Sequence, residues 1–330
     1  MDFEVTDDQA ALQEGVRAFC AGRFPIEVVR ANEDTGGGLD RGRWAELGEL
    51  GIFSLRRDGF GMCDAVLAFE ELGRALVPGP LVATHLAATH LAERGGPFAG
   101  AADGSAVVGL TWPAEPVVAV EHAADLDALL VLDERGLHRI DLAALDLETA
   151  ARPLDPLVPV SFLRSGLPAG EQLAGPEAVA TWRREGAVLT AAQQLGLALG
   201  ALQLAVAYAK DREQFGRPIG SFQAIKHLAA DMLTKAEIAR AAVYASACAV
   251  DERGGGDPAM AASIAKLLAG EAAIFVAKTG IQIHGGMGFT WEVDAQRYWK
   301  RACVLDTHFG NSDHHAEVIA WGSTDASPVG

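Results

Sequence analysis

The chain has 330 residues, half of them hydrophobic and 22% charged, with 44 acidic against 27 basic residues and a formal net charge of −17. That length allows two or three units with substantial cores, and the apolar content excludes a disordered chain. The acidic balance excludes the basic stripe that a nucleic-acid interface needs. Four cysteines (Cys20, Cys63, Cys248, Cys303) stand far apart along the chain without a CxxC pair, the usage of reduced thiols rather than of a disulfide framework. The opening MDFEVTDDQAAL lacks the basic and apolar regions of a signal peptide, and charges interrupt every apolar run, so the expectation is a cytoplasmic protein with no membrane span.

Residues 1–95 read as helices. TDDQAALQEGVRAFCAGRF opens at a Thr6 or Asp7 cap and places Leu12, Val16 and Phe19 on one face. DRGRWAELGELGIFSL and DAVLAFEELGRALVP are further amphipathic runs ended by Gly or Pro, and LVATHLAATHLAERGG stops at a glycine pair. From 96 to 176 the character changes to short β-branched runs: SAVVGLTW, EPVVAV, DALLVLDERGLHRIDL and LVPVSFL. The third predicts a hairpin around Glu134-Arg135-Gly136, and the whole segment a small β domain. From 177 to 330 the helical period returns in four blocks, near 181–213, 221–252, 257–284 and 292–321. Ser221 is placed to cap the second block, and Asp257-Pro258 supplies a cap followed by a first-turn proline for the third. Small residues on each face let the helices approach closely, which describes a four-helix bundle.

Two stretches need a chemical explanation. DREQFGRPIGSFQAIKH (211–227) breaks a helical pattern at Phe215-Gly216-Arg217-Pro218, with Arg212 and Gln214 before the break and Gln223 after it. IQIHGGMGFTWEVD (281–294) carries Gln282 and the pair Gly285-Gly286. The plain alternatives are a surface ion pair of Arg212 with Asp211 or Glu213, and a helix end at the glycines. His284, His308, His314 and His315 match no metal-ligand spacing.

The order helix–β–helix with these two motifs resembles the acyl-CoA dehydrogenase family over nearly the whole chain. YAKDREQFGRPIGSFQAIKHLAADM is similar to its Arg-x-x-Phe-Gly turn with the following Phe-Gln. QIHGGMGFTWEVDAQRYWKRA resembles its Gln-x-x-Gly-Gly-x-Gly-Phe stretch, and RWAELGELGIFSL its helix-turn before the first active-site loop. The resemblance implies a mostly helical α+β fold with an N-terminal helical domain, a reduced middle β domain and a C-terminal four-helix bundle. It also implies an FAD-dependent oxidoreductase in which Arg212, Gln214, Phe215, Gln223, Gln282, Gly285 and Gly286 hold FAD. Arg212 would meet the pyrophosphate through charge-assisted bonds, Phe215 would pack the adenine side, and the glycines would admit the dinucleotide close to the backbone.

The chain departs from the family pattern where the chemistry is done. THFGNSD stands where the family places its Tyr-Glu-Gly-Thr-like stretch, so Phe309 occupies the position of the glutamate base. A minority of the family carries the base at the start of the first bundle helix, where TWRREGAVLT puts Glu185 near that position. Asp306 and Asp313 are nearby carboxylates with no better claim, and the catalytic base stays unassigned. GLTWPAEPVVAV and DALLVLDERG replace the loop and strand that cradle the flavin ring, with Thr111, Trp112 and Glu115 as remnants. The family's dimer uses the two C-terminal motifs to hold the ADP half of a neighbour's FAD. The resemblance therefore implies a subunit like the short actinobacterial chains that pair with a longer acyl-CoA dehydrogenase subunit, in an α2β2 tetramer acting on a bulky or sterol side-chain acyl-CoA. An electron acceptor such as an electron-transfer flavoprotein would complete the system. The alternatives are a self-sufficient homotetramer with a displaced base and a non-catalytic scaffold subunit.

Overall fold

The structure, a computed structural model, describes residues 5–113, 116–253 and 256–322. Thr6 opens the first helix as expected, through a capping box in which its hydroxyl accepts from Gln9 N and Gln9 returns a bond to Thr6 N. The helices are α1 (Asp7–Arg23), α2 (Ile26–Asp34), α3 (Arg41–Glu49), α4 (Met62–Arg74), α5 (Leu81–His90), α6 (Pro97–Gly100), α7 (Val179–Asp211), α8 (Gln223–Val250), α9 (Pro258–His284), α10 (Ala295–Asp306) and α11 (Ser312–Gly322). The strands are β1 (Val108–Thr111), β2 (Val118–Glu121), β3 (Ala128–Asp133), β4 (Gly136–Ile140), β5 (Leu147–Thr149), β6 (Val160–Leu163), β7 (Glu171–Ala174), β8 (Glu213–Gln214) and β9 (Arg217–Pro218). The mostly helical α+β architecture is thus the one expected. These elements gather into two compact units: residues 1–26, 62–77 and 187–330 form the first, and 27–61 with 78–186 the second.

The first unit is helical and built around α4, which is buried along almost its entire length. Small residues let backbones touch here. A Cβ on Gly73 would stand 2.1 Å from the Gln193 carbonyl oxygen, and one on Gly196 1.9 Å from that of Glu70, so α4 and α7 cross with no side chain between them. Two adjacent buried carboxylates on α4 are satisfied by cations and a phenol. Glu71 accepts from Arg17 Nε and Nη2 at 3.1 and 2.9 Å, and Glu70 from Tyr244 Oη at 2.8 Å and Arg74 Nη2 at 3.1 Å. Asp251, at the end of α8, caps α4 by accepting from the backbone N–H groups of Met62 and Cys63. The same junction brings Cys63 and Cys248 Sγ to 3.4 Å as free thiols, a proximity that their sequence separation hides.

The second unit contains both larger sheets. One has the order β1-β3-β4-β7, with β1 parallel to β3 and the other pairs antiparallel; the other has the antiparallel order β2-β6-β5. The expected hairpin is present, with Asp133 opposite Gly136 across a two-residue turn. Trp44 on α3 is buried against Phe53, their rings 4.7 Å apart, and its indole N–H donates to the Ala106 carbonyl.

Several expectations are corrected. Ser221 does not cap α8: residues Ile219–Ser221 form a 3-10 turn, and the helix starts at Gln223 after an extended Phe222 that makes no side-chain cap. Asp257 does cap α9, accepting from Ala259 N at 2.9 Å. The block 292–321 is two helices rather than one, because Phe309 and Gly310 take φ of +53° and +99°, which ends right-handed helix. Among the described residues, two helical segments, Pro176–Asp211 and Pro258–Phe289, are long and apolar enough to span a membrane by length and composition, which the sequence reading did not expect. Their apolar windows are 83% and 50% buried inside the fold, so burial within the protein accounts for much of that hydropathy.

Gly196→Ala forces a methyl against the Glu70 backbone carbonyl, and we expect a loss of about 2–3 kcal/mol of stability. Gly22→Ala in α1, whose Cβ meets nothing within 4 Å, is expected to be neutral or to stabilise by up to about 1 kcal/mol. Denaturant unfolding of both variants checks the contrast; equal effects would show that the α4–α7 crossing is looser than described.

Candidate functional site

The break in the helical pattern at 211–223 is a hairpin folded back on the end of α7. Its strands β8 and β9 pair Glu213 with Pro218 and Gln214 with Arg217. The two turn residues, Phe215 and Gly216, have φ of +54° and +77°, the pattern of the tightest hairpin turns. Gly216 adopts it freely, whereas a phenylalanine there costs about 1–2 kcal/mol. The hairpin is closed at its base by Ile219 N donating to the Arg212 carbonyl at 2.8 Å. Gly220 packs on the Ala209 carbonyl, which a Cβ would approach to 2.8 Å.

This geometry holds its polar and aromatic groups outward. Phe215 is 91% exposed, touching Phe222 only edge-on with ring centroids 6.1 Å apart, while the Arg217 guanidinium covers the Phe222 ring at 4.2 Å. Arg212 is exposed at the end of α7, and its guanidinium makes no ion pair among the described residues, neither with Asp211 nor with Glu213. Gln214 Nε2 donates to the Glu213 carbonyl at 2.7 Å, and Gln223 is exposed at the first position of α8.

The second motif lies at the end of α9. Lys235 and Glu271 approach to 3.9 Å, each about three turns from the start of α8 and the end of α9 respectively, so these helices run antiparallel with those two ends side by side. Gln282 is exposed on the last turn of α9. Gly285 ends the helix with φ +64°, so its own backbone explains the glycine. Gly286 is different: it has no left-handed φ, and a Cβ there would meet nothing within 4 Å. Among the described residues, neither the turn nor packing requires a glycine there. Beyond it Met287, Phe289 and Trp291 are exposed, the last under Lys300 at 4.1 Å. The two motifs meet through Tyr208, one turn before Arg212, whose ring stacks on His284 at 4.2 Å and 25°. Sequence reading missed Tyr208; its spacing of four residues from Arg212 is the signal that puts both on one helix face.

A site of this kind fits a dinucleotide. A guanidinium without an ion pair, an exposed aromatic face held at a cost in strain, amides and an open glycine all sit around the adjoining ends of α7, α8 and α9.

The carboxylates are arranged otherwise. Phe309 is buried, 7% exposed, and its carbonyl accepts from His315 Nε2 at 3.0 Å. Asp306 Oδ1 accepts from Ser312 Oγ at 2.7 Å, and its carbonyl accepts from the buried Lys266 ammonium at 3.2 Å. Asp313 is exposed in the first turn of α11. Glu185, in the second unit, is only 4% exposed and has both oxygens engaged: Arg56 Nη1 lies 2.6 Å from Oε1 and His90 Nε2 2.7 Å from Oε2. Burial raises its pKa, but the His90 hydrogen bond and the Arg56 charge outweigh this and hold the carboxyl below its usual value.

In the same unit Thr111 is buried and its hydroxyl donates to the Ala119 carbonyl at 2.7 Å, joining β1 to β2. Trp112 is half-buried beside it, and Glu115 lies outside the described residues. A cavity of about 470 Å³ opens between Val131, His138 and Ile140 on one side and the loop Gly166–Gly170 on the other. None of the seven predicted cofactor residues lines it.

Comparison with known proteins gives these observations a family. The model of the acyl-CoA dehydrogenase C-terminal domain matches residues 178–323, and that of the N-terminal domain residues 6–97. Acyl-CoA dehydrogenase IpdE2 of Mycobacterium tuberculosis is 37% identical over 308 residues, covering 90% of this chain and 91% of that one. Among solved structures, the ChsE4-ChsE5 complex of M. tuberculosis superposes with a TM-score of 0.80 at 24% identity, over 99% of this chain and 100% of the other. The Tcur3481-Tcur3483 steroid ACAD does so with a TM-score of 0.80 at 24% identity, over 96% and 98%. Matched at both ends by the family's domains and over nine-tenths of its length by a named member, the chain belongs to the acyl-CoA dehydrogenase family.

Proposed function

We propose that this chain is one subunit of a hetero-oligomeric acyl-CoA dehydrogenase, and that it supplies the clamp for the ADP half of an FAD whose flavin ring is cradled by a partner acyl-CoA dehydrogenase chain. The substrate is a bulky, steroid-type acyl-CoA thioester, and the electrons leave to an acceptor such as an electron-transfer flavoprotein. The observation that carries the reading is a division within one chain. Arg212 and Phe215 are held out to solvent at a cost in backbone strain, while the position of the family's base is a buried phenylalanine. A clamp is kept and a base is not. The names of the two structural relatives, each a pair of chains and one of them a steroid enzyme, support the partner and substrate class.

When bound, FAD would supply the acceptor for the hydride that α,β-desaturation removes. The chain's own part is to bind and orient. Arg212 would meet the pyrophosphate, Gln214, Gln223 and Gln282 would offer amide contacts, Phe215 would face the adenine, and Gly285-Gly286 would admit it close to the backbone. Glu185 is not given the role of base: Arg56 and His90 engage its two oxygens, and its depressed pKa makes it a weak proton acceptor.

Arg212→Ala is expected to weaken FAD retention by the assembled complex about 10- to 100-fold, the loss of roughly 1.5–3 kcal/mol of charge-assisted bonding. Thermal unfolding of the flavin-free protein should not change. FAD titration checks this, and unchanged affinity would remove Arg212 from the site.

Glu185→Gln should cost about 3 kcal/mol of stability at neutral pH by leaving Arg56 without its counter-charge, with dehydrogenation by the folded complex retained. Because the folded-state pKa is depressed, this stabilisation is present above the unfolded value of about 4.3 and is lost as pH falls through the folded one. The stability gap between the two proteins should therefore narrow as pH falls below the unfolded value and close once pH is below the folded one. A variant of full stability without activity would instead make Glu185 the base.

A further inference from the structure

We propose that the Tyr208–His284 ring stack is the positioning element that holds the two halves of the nucleotide clamp in register. This inference rests on the clamp reading above. The half carried by α7 and the hairpin is built from one end of the stack. Arg212 N donates to the Tyr208 carbonyl at 2.8 Å, and the hairpin closes on the Arg212 carbonyl. Any rotation of Tyr208 about the axis of α7 therefore moves Arg212 with it. The half carried by α9 is built from the other end, because His284 directly precedes Gly285, where the helix stops.

Each ring is set by different means. His284 is buried, and its Nδ1–H donates to the Gly280 carbonyl one turn back at 2.7 Å. That bond fixes the tautomer and the plane of the imidazole. Tyr208 is half-buried, and its hydroxyl makes no hydrogen bond among the described residues. The ring face is thus what the tyrosine contributes, at a spacing and tilt suited to stacked aromatics. Beyond the point one turn back where α7 and α9 approach at Ala205 and Gly280, the stack joins at their ends the segments that carry Arg212 and Gly286. A dinucleotide touching both needs them at a constant separation, and an error of about an ångström is enough to lose a bidentate phosphate contact.

The test is binding of ADP to the purified full-length chain by calorimetry, together with the thermal midpoint of each variant. Tyr208→Leu and His284→Leu keep apolar volume and remove one ring face. Each is expected to weaken ADP binding about five- to tenfold, and the double variant to be no worse than either single one, since both delete the same interaction. Tyr208→Phe keeps the ring and should bind ADP as wild type does, a rescue that a hydroxyl-based role would not show. His284→Phe keeps a ring without the Nδ1 bond and should lie between wild type and leucine, which keeps the test available if His284→Leu folds poorly. ADP affinity unchanged in Tyr208→Leu, with Arg212→Ala impaired, overturns the positioning role and leaves the clamp standing. No ADP binding by the wild-type chain overturns both.

Discussion

The backbone reversal at Phe215-Gly216 takes a phenylalanine through a left-handed φ and leaves its ring in water, and the arrangement of the site depends on that one turn. A folded domain gains nothing internal from it, since the ring buries little and the conformation is strained. What the turn does is bring the chain straight back onto α7, so that Arg212 stands free at the helix end and Gln223 opens the next helix. The antiparallel pairing of α8 with α9 then places the glycine turn at the same end of the unit. Helix ends, strained turn and open glycine form one surface because the bundle aligns them.

The fold has put its buried and half-buried carboxylates to a different use. Glu70 and Glu71 are locked into cation and phenol contacts around the buried α4. Asp306 is tied to Ser312, and Glu185 sits between Arg56 and His90. Their contacts differ in balance: burial raises the pKa of Glu70 despite Tyr244 and Arg74, whereas at Glu185 burial is outweighed by His90 and Arg56, which hold the pKa down. Phe309, which the resemblance places at the position of the family's base, is itself buried. On the proposed reading, these carboxylates and the exposed groups at the ends of α7, α8 and α9 belong to a chain that is half of a shared site.

Much of this was legible in the sequence because the signals were local. The cap at Thr6 or Asp7, Asp257-Pro258, the Glu134-Arg135 hairpin turn and the Phe-Gly-Arg-Pro break each declare themselves within four residues. The failures share a different cause. Ser221 has the chemistry of a cap but is consumed by a 3-10 turn, in which Gly220 packs on Ala209, a residue from the preceding helix. The break of the last helical block lies at a phenylalanine whose left-handed φ no propensity predicts. The nine-residue α2 and the strands β5 and β7 are too short to show a period. The partners of Glu185, the Cys63–Cys248 approach and the Tyr208–His284 stack all join residues distant in sequence, and one sequence holds no record of such pairings.

The central claim is that this chain provides half of an FAD site, and flavin stoichiometry tests it most directly. The chain would be purified alone and after co-expression with its partner acyl-CoA dehydrogenase subunit, and FAD measured per protomer by absorbance of the released flavin. The half-site account predicts a nearly colourless protein alone and one FAD for each pair of unlike chains in the complex. One FAD per chain in an active homo-oligomer would contradict it.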